Sequence, residues 1–405
     1  MEPQDQFLVS TDFLERDVHG TIACTTCHGG DLTATSKEGA HRDIIRDPTY
    51  PDPSQSCGPC HRDITALNGK NVHVTLEPFK RKVARRCNPE LSGSAAGKLE
   101  DALEAHCMTC HSSCGQCHVS RPDTAGGGLT QGHRFMGTPP DDPNCISCHG
   151  TRVGDEYRGR NEGIPGDVHY RSRGMTCNAC HHGDEMHGAG QGTTDRYGTE
   201  TRARCDECHA ADGAKTMHEA ASHRIHRDRV SCQACHALPY KHCSNCHLTQ
   251  DSAGTPLFEA DPPSLNIKIG LNPAPTEDRP DRYVTLRHVP VTPHTFDFYT
   301  ASALTGFDRA PTWKPATPHT IQRKTPQNRR CTACHDNEAL FLTEKDVAVD
   351  ERRANRPVIA PPLTRTASLH DWLPETALHL ERIDCIDCHG PSAASPVKNC
   401  DHCHN

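Results

Sequence analysis

The sequence is short of the residues from which a protein core is built. Aromatic residues make up 4% and apolar residues 34% of its 405 positions, and the mean hydropathy is −0.72. On that composition alone the chain buries too little apolar surface to offset the entropy of ordering itself. No stretch approaches the roughly 18 consecutive apolar residues of a membrane-spanning helix. Long periodic segments are scarce as well. With 30 glycines and 31 prolines, loops are the default, and no fixed repeat length marks a solenoid. A fold with these deficits needs something other than side chains at its centre.

What the chain has in excess is cysteine and histidine, 25 and 30 residues respectively. All but one of the cysteines fall into a single string, C-x-x-C-H, repeated twelve times. In chain order the motifs are Cys24-Cys27-His28, Cys57-Cys60-His61, Cys107-Cys110-His111, Cys114-Cys117-His118, Cys145-Cys148-His149 and Cys177-Cys180-His181. Then follow Cys205-Cys208-His209, Cys232-Cys235-His236, Cys243-Cys246-His247, Cys331-Cys334-His335, Cys385-Cys388-His389 and Cys400-Cys403-His404. Structural zinc uses paired dyads with no fixed histidine beside them, and a disulfide framework needs no histidine at all. The string is the attachment signature of c-type haem. Two thiols form thioethers to one porphyrin edge, and the adjacent imidazole takes the iron from one side. Twelve repeats predict twelve haems c, one per roughly 34 residues, which resolves the compositional deficit. Each porphyrin is a large apolar body for the chain to wrap, so folding is expected to depend on haem attachment as small metal domains depend on their metal.

The formal charge of −8 becomes more negative with ionised propionates, on the order of −20 for the loaded protein. Nucleic-acid binding is therefore not expected. Arg81, Lys82, Arg85 and Arg86 form a basic run that either pairs with propionates or is a solvated basic turn. Haem c is attached outside the cytoplasmic membrane, so the expected compartment is periplasmic or extracellular. Residues 1–20 contain neither a basic n-region nor an apolar h-region, and the sequence is read as a mature or trimmed form of an exported precursor.

Motif spacing suggests three regions. Residues 1–247 carry nine motifs; 248–330 carry none, are rich in proline and include a candidate strand at 283–289; 331–405 carry three. Helices are expected at 98–111, where Leu99, Ala102, Leu103, His106 and Cys110 form a stripe, and at 215–226. The expected fold is mostly irregular and loop-rich, with short α-helices and very little β-structure, organised around a chain of stacked haems.

Eighteen histidines lie outside the motifs, enough to give every iron a second imidazole. An iron held by two imidazoles has no position left for substrate, so it exchanges electrons and little else. The candidates for this distal role are His19, His41, His73, His106, His133, His169, His187, His218, His226, His242, His288, His294, His319, His370 and His379. His106 and His242 touch their own motifs and are expected to reach a neighbouring haem. His182, His223 and His402 are not expected to be ligands. Met136, Met175, Met186 and Met217 are expected to pack on porphyrin faces, and Cys87 to be an inert thiol.

This inventory resembles the large multihaem c-type cytochromes of bacteria and archaea that respire metals or other external acceptors. The strings at 106–122 (HCMTCHSSCGQCHVSRP), 148–159 (CHGTRVGDEYRG) and 287–296 (RHVPVTPHTF) also look family-like. The resemblance implies electron transfer to other redox proteins or an external acceptor, either as a soluble carrier or as a self-assembling filament. It also implies that the tight doublets Cys107/Cys114 and Cys232/Cys243 hold haems in near contact. Enzymatic multihaem families commonly carry a C-x-x-C-K motif or an open-site haem. C-x-x-C-K is absent, and a terminal reductase with one open-site haem is the alternative.

Overall fold

The computed structural model describes residues 8–107, 112–189, 202–209, 221–227, 229–276 and 279–361. Cys110, His111, the motifs at Cys385 and Cys400, and His218, His370, His379 and His402 lie outside these, as does most of the helix expected at 215–226.

Short helical turns joined by loops make up most of the described chain, with seven short strands. The longest described helix, Gly93–Cys107, has 15 residues and covers much of the expected 98–111. Helices Cys24–His28, Cys114–His118, Cys205–His209, Cys232–His236 and Cys331–His335 coincide with their motifs from first to last residue. The reason is geometric. One helical turn puts residues i, i+3 and i+4 on a single face, which gathers both thiols and the imidazole. Ser113 starts one such turn with a capping box, its hydroxyl accepting from the Gln116 N–H while the Gln116 side chain accepts from the Ser113 N–H.

The strands are β1 (Tyr240–Lys241), β2 (Cys246–Gln250), β3 (Pro256–Ala260), β4 (Leu265–Asn266), β5 (Ile269–Leu271), β6 (Tyr283–His288) and β7 (Trp313–Pro315). They form two antiparallel pairs, β1 with β4 and β2 with β3, and an antiparallel sheet in the order β5-β6-β7. Strand β6 is the one legible at 283–289. Its partners β5 and β7 are three residues each, too short for an alternating pattern to declare them.

The protein core lies almost entirely in the second half. One cluster joins Ala234, Ala237, Tyr240 and Ile269 to Leu340, Phe341 and Ala360, and another joins Leu286 and Trp313 to Leu342, Val347 and Val358. A third packs Leu99 and Ala102 under Leu248, Phe296, Ala303 and Leu304. Among the described residues before position 228, only Phe13, Leu99, Ala102 and Val119 belong to the buried hydrophobic core. The part of the chain densest in C-x-x-C-H motifs therefore has next to no core of its own, as the composition foretold.

Buried polar groups lock the halves together. Arg287 on β6 forms an ion pair with Glu156 of helix Asp155–Arg158, and Glu156 also accepts the His319 N–H at 3.0 Å. Arg86 is buried and donates to the carbonyls of Phe307, Ala310 and Pro311. That corrects the propionate expectation for Arg86: its guanidinium ties helix Glu77–Arg86 to a loop. Among the described residues no helix is long and apolar enough to cross a membrane.

Candidate cofactor sites

The described residues include nine motif histidines, and eight of them have a second histidine ring facing them. The first four pairs are His19 with His61 at 6.2 Å between ring centroids, His28 with His133 at 5.9 Å, His73 with His149 at 6.2 Å and His118 with His187 at 6.0 Å. The others are His169 with His209 at 5.9 Å, His181 with His319 at 6.4 Å, His223 with His236 at 6.0 Å and His226 with His335 at 6.0 Å. Every pair joins one motif histidine to one non-motif histidine. Direct ring stacking would bring centroids nearer, as for His19 on Phe135 at 4.1 Å. An imidazole nitrogen binds a first-row metal at about 2 Å, so two rings on opposite sides of one ion have centroids about 6 Å apart. The spacing fits a metal between the rings, and the adjacent thiol pair fits a covalently attached macrocycle around it.

Hydrogen bonds turn the rings the right way. Nδ1 donates to a backbone carbonyl in four cases: His28 to Ile45 at 2.8 Å, His118 to Met136 at 2.6 Å, His226 to Ser222 at 2.7 Å and His236 to Gln322 at 3.0 Å. It donates to a carboxylate in three: His19 to Asp17, His169 to Asp167 and His181 to Glu185, each at 2.8 Å. A proton fixed on Nδ1 leaves Nε2 as the nitrogen free to take a metal. Desolvation around the His319 ring lowers its pKa to about 4, which keeps it neutral, as a metal ligand has to be. His133 has φ of 78°, a left-handed conformation that side chains avoid. Gly132 before it is also left-handed, and a Cβ there would sit 2.7 Å from Ser10. This tight turn aims His133 back across the chain at His28.

No family model, curated protein or solved structure matches this chain.

The pairing also shows what the sequence left hidden. His19, His169 and His226 each precede a motif closely, yet each faces the histidine of a later one. His223, not expected as a ligand, faces His236; its crowding beside His226 and its own motif concealed it, because proximity in the chain says nothing of direction on a helix. For His242 the expectation is corrected. Its Nδ1 accepts the His288 N–H at 2.8 Å and its Nε2 bonds to Asn266 at 2.9 Å, which leaves no nitrogen for a metal. His106 gives its Nε2 to the Tyr299 hydroxyl at 2.7 Å, and His288 stacks on Trp313 with its Nε2 on Glu351 at 2.9 Å. His294 is held by Asp297 at 2.7 Å on the surface and His41 by the Lys37 carbonyl at 2.7 Å. Among the described residues none of His41, His106, His242, His288 and His294 faces a motif histidine.

The motifs line up in space as well as in sequence. Burial raises the thiols of Cys27, Cys114, Cys117, Cys180 and Cys235, and in each case a cysteine of another motif adds to the rise. That neighbour is Cys57 for Cys27 and Cys114, Cys148 for Cys117, Cys208 for Cys180 and Cys334 for Cys235. Cys145 lies within 4.8 Å of Cys177, and Cys205 is hydrogen-bonded to Cys232. Among the described residues the first, second, fourth, fifth, sixth, seventh, eighth and tenth motifs thus follow one another, each with a cysteine beside one of the next. Asp141 beside Cys145 and Cys177 completes a trio that can hold an ion. However, its carboxylate already accepts the Cys177 N–H at 3.2 Å, and the two thiols belong to different motifs. Structural zinc wants four ligands. Cys87 packs against the Leu99 cluster, where burial raises its pKa.

Proposed function

We propose that this chain is a multihaem c-type cytochrome that conducts electrons along a line of twelve covalently attached haems, outside the cytoplasmic membrane. The observation that carries this reading is the set of eight opposed histidine pairs, each made of one motif and one non-motif imidazole at the spacing of a six-coordinate metal. Haem iron so ligated takes up and gives back one electron with no position for substrate. The polypeptide's part is to hold the imidazoles, fix their tautomers and set successive motifs side by side. Imidazole on both faces favours low potentials, since methionine ligation is what raises them. The redox partners are other redox proteins or an external acceptor.

A terminal reductase is the second reading, and one observation favours it. His247 is the one described motif histidine left unpaired: no histidine ring faces it among the described residues. Its motif also ends on strand β2, not in a helical turn. Electron paramagnetic resonance of the oxidised protein, with carbon monoxide added to the reduced form, separates the two. The conduit predicts low-spin ferric signals throughout and no carbon monoxide adduct. One stoichiometric high-spin signal, with one adduct per chain, would move the assignment to the reductase.

A further inference from the structure

Asp17 and Asp167 each open the same string, Asp-Val-His, and the structure uses both in the same way. One oxygen of Asp17 accepts the His19 backbone N–H at 3.0 Å and its ring Nδ1–H at 2.8 Å, while the other accepts the Phe135 N–H at 2.8 Å. One oxygen of Asp167 accepts the His169 N–H at 2.9 Å and its ring Nδ1–H at 2.8 Å, while the other accepts the Ile321 N–H at 2.9 Å. Phe135 stands two residues beyond His133, and Ile321 two beyond His319. The ring pairing repeats in step. His19 and His133 face the second and first motifs, and His169 and His319 face the seventh and sixth. Each aspartate thus stands between the distal imidazoles of two consecutive motifs, bonded to one ring and to the segment bearing the other. Their side chains are only 6% and 3% exposed, so solvent screens them little.

We propose that Asp17 and Asp167 are positioning residues of two equivalent haem pairs, each making one distal imidazole a stronger donor and pinning its neighbour's segment in register. The proposal rests on the haem reading above. A carboxylate on Nδ1 raises the basicity of a ligating imidazole, and a more basic ligand stabilises the oxidised iron and lowers its potential. The second and seventh haems are therefore held more negative than carbonyl-bonded imidazoles would set them. The first haem offers the contrast: His28 donates to the Ile45 carbonyl, and the Nδ1 of His133 is buried without a partner.

The simpler role is helix capping, because both aspartates accept the backbone N–H two residues on, as N-caps do. Asn caps a helix as well as Asp does, so Asp17→Asn and Asp167→Asn keep the cap and remove the charge. In the haem-loaded protein, each is expected to leave haem content unchanged and to move one midpoint upward in a spectroelectrochemical titration. The double variant should move two, additively, because the sites touch different haems. Full haem content with unmoved midpoints in both single variants would overturn the proposal and leave the haem reading standing. An unmutated chain without haem would overturn that reading instead. Where an Asn variant does not assemble, Asp17→Glu keeps the charge and displaces the oxygens: a moved midpoint supports the proposal, and an unmoved one overturns it.

Discussion

Produced without haem attachment, the chain is expected to show no cooperative unfolding transition and to be digested rapidly throughout residues 8–227. Only four described apolar side chains in that stretch belong to the buried hydrophobic core, and folding has to offset the ordering entropy of every residue in it. The eight histidine pairs hold two imidazoles apart at about a metal's width, and on the proposed haem reading the bound iron adds the stabilisation that the bare chain lacks. The segment around β5, β6 and β7 has its own apolar clusters and should retain the most structure, so limited proteolysis should leave fragments from roughly 230–361 last. Circular dichroism of the haem-free chain measures the effect. A sharp melt with native-like helix content would show that the peptide core suffices and that the motifs are incidental to folding.

Replacing His319 with methionine is expected to raise one haem midpoint by a sizeable share of the about 0.8 V that axial ligands command. His319 faces His181 at 6.4 Å and has its backbone pinned by Glu156, and no other non-motif histidine faces His181 among the described residues. His319→Gly should instead open that iron, visible as a high-spin ferric signal and a carbon monoxide adduct. The control is His242→Gln, since both His242 ring nitrogens are spent on protein partners and no midpoint should move. If His319→Met leaves every midpoint in place while His242→Gln shifts one, the ligand assignments drawn from ring geometry are wrong.

The motif half of the candidate site was legible in the sequence because the covalent attachment proposed for it demands a local pattern. The thiols and imidazole of one motif must share a helical face, so their spacing is written in the chain, as in Cys24–His28 and Cys331–His335. Composition likewise announced loops and short helices, and β6 stood out because its six residues suffice to show a pattern. Distal histidines obey no local rule. His133 reaches His28 by a left-handed turn at Gly132, and His319 arrives from a segment without motifs to face His181. His223 and His242 mislead in opposite directions. The first sits one helical turn from His226, which faces a different motif ring, and still faces a motif ring itself, while the second adjoins a motif and is buried in a hydrogen-bond network with Asn266 and His288. What decided each case was the direction of a side chain in three dimensions, which neither residue type nor spacing encodes. The repeated Asp-Val-His string carried a signal, but its meaning depended on where the second carboxylate oxygen reached.

The central claim, that porphyrins occupy the C-x-x-C-H motifs, is tested most directly by weighing the intact, denatured chain. The account predicts the 44.4 kDa polypeptide plus twelve covalently bound haems, retained after acid and organic solvent strip any loosely held group. A mass equal to the bare polypeptide, or to the polypeptide less the hydrogens lost in disulfides, would contradict it.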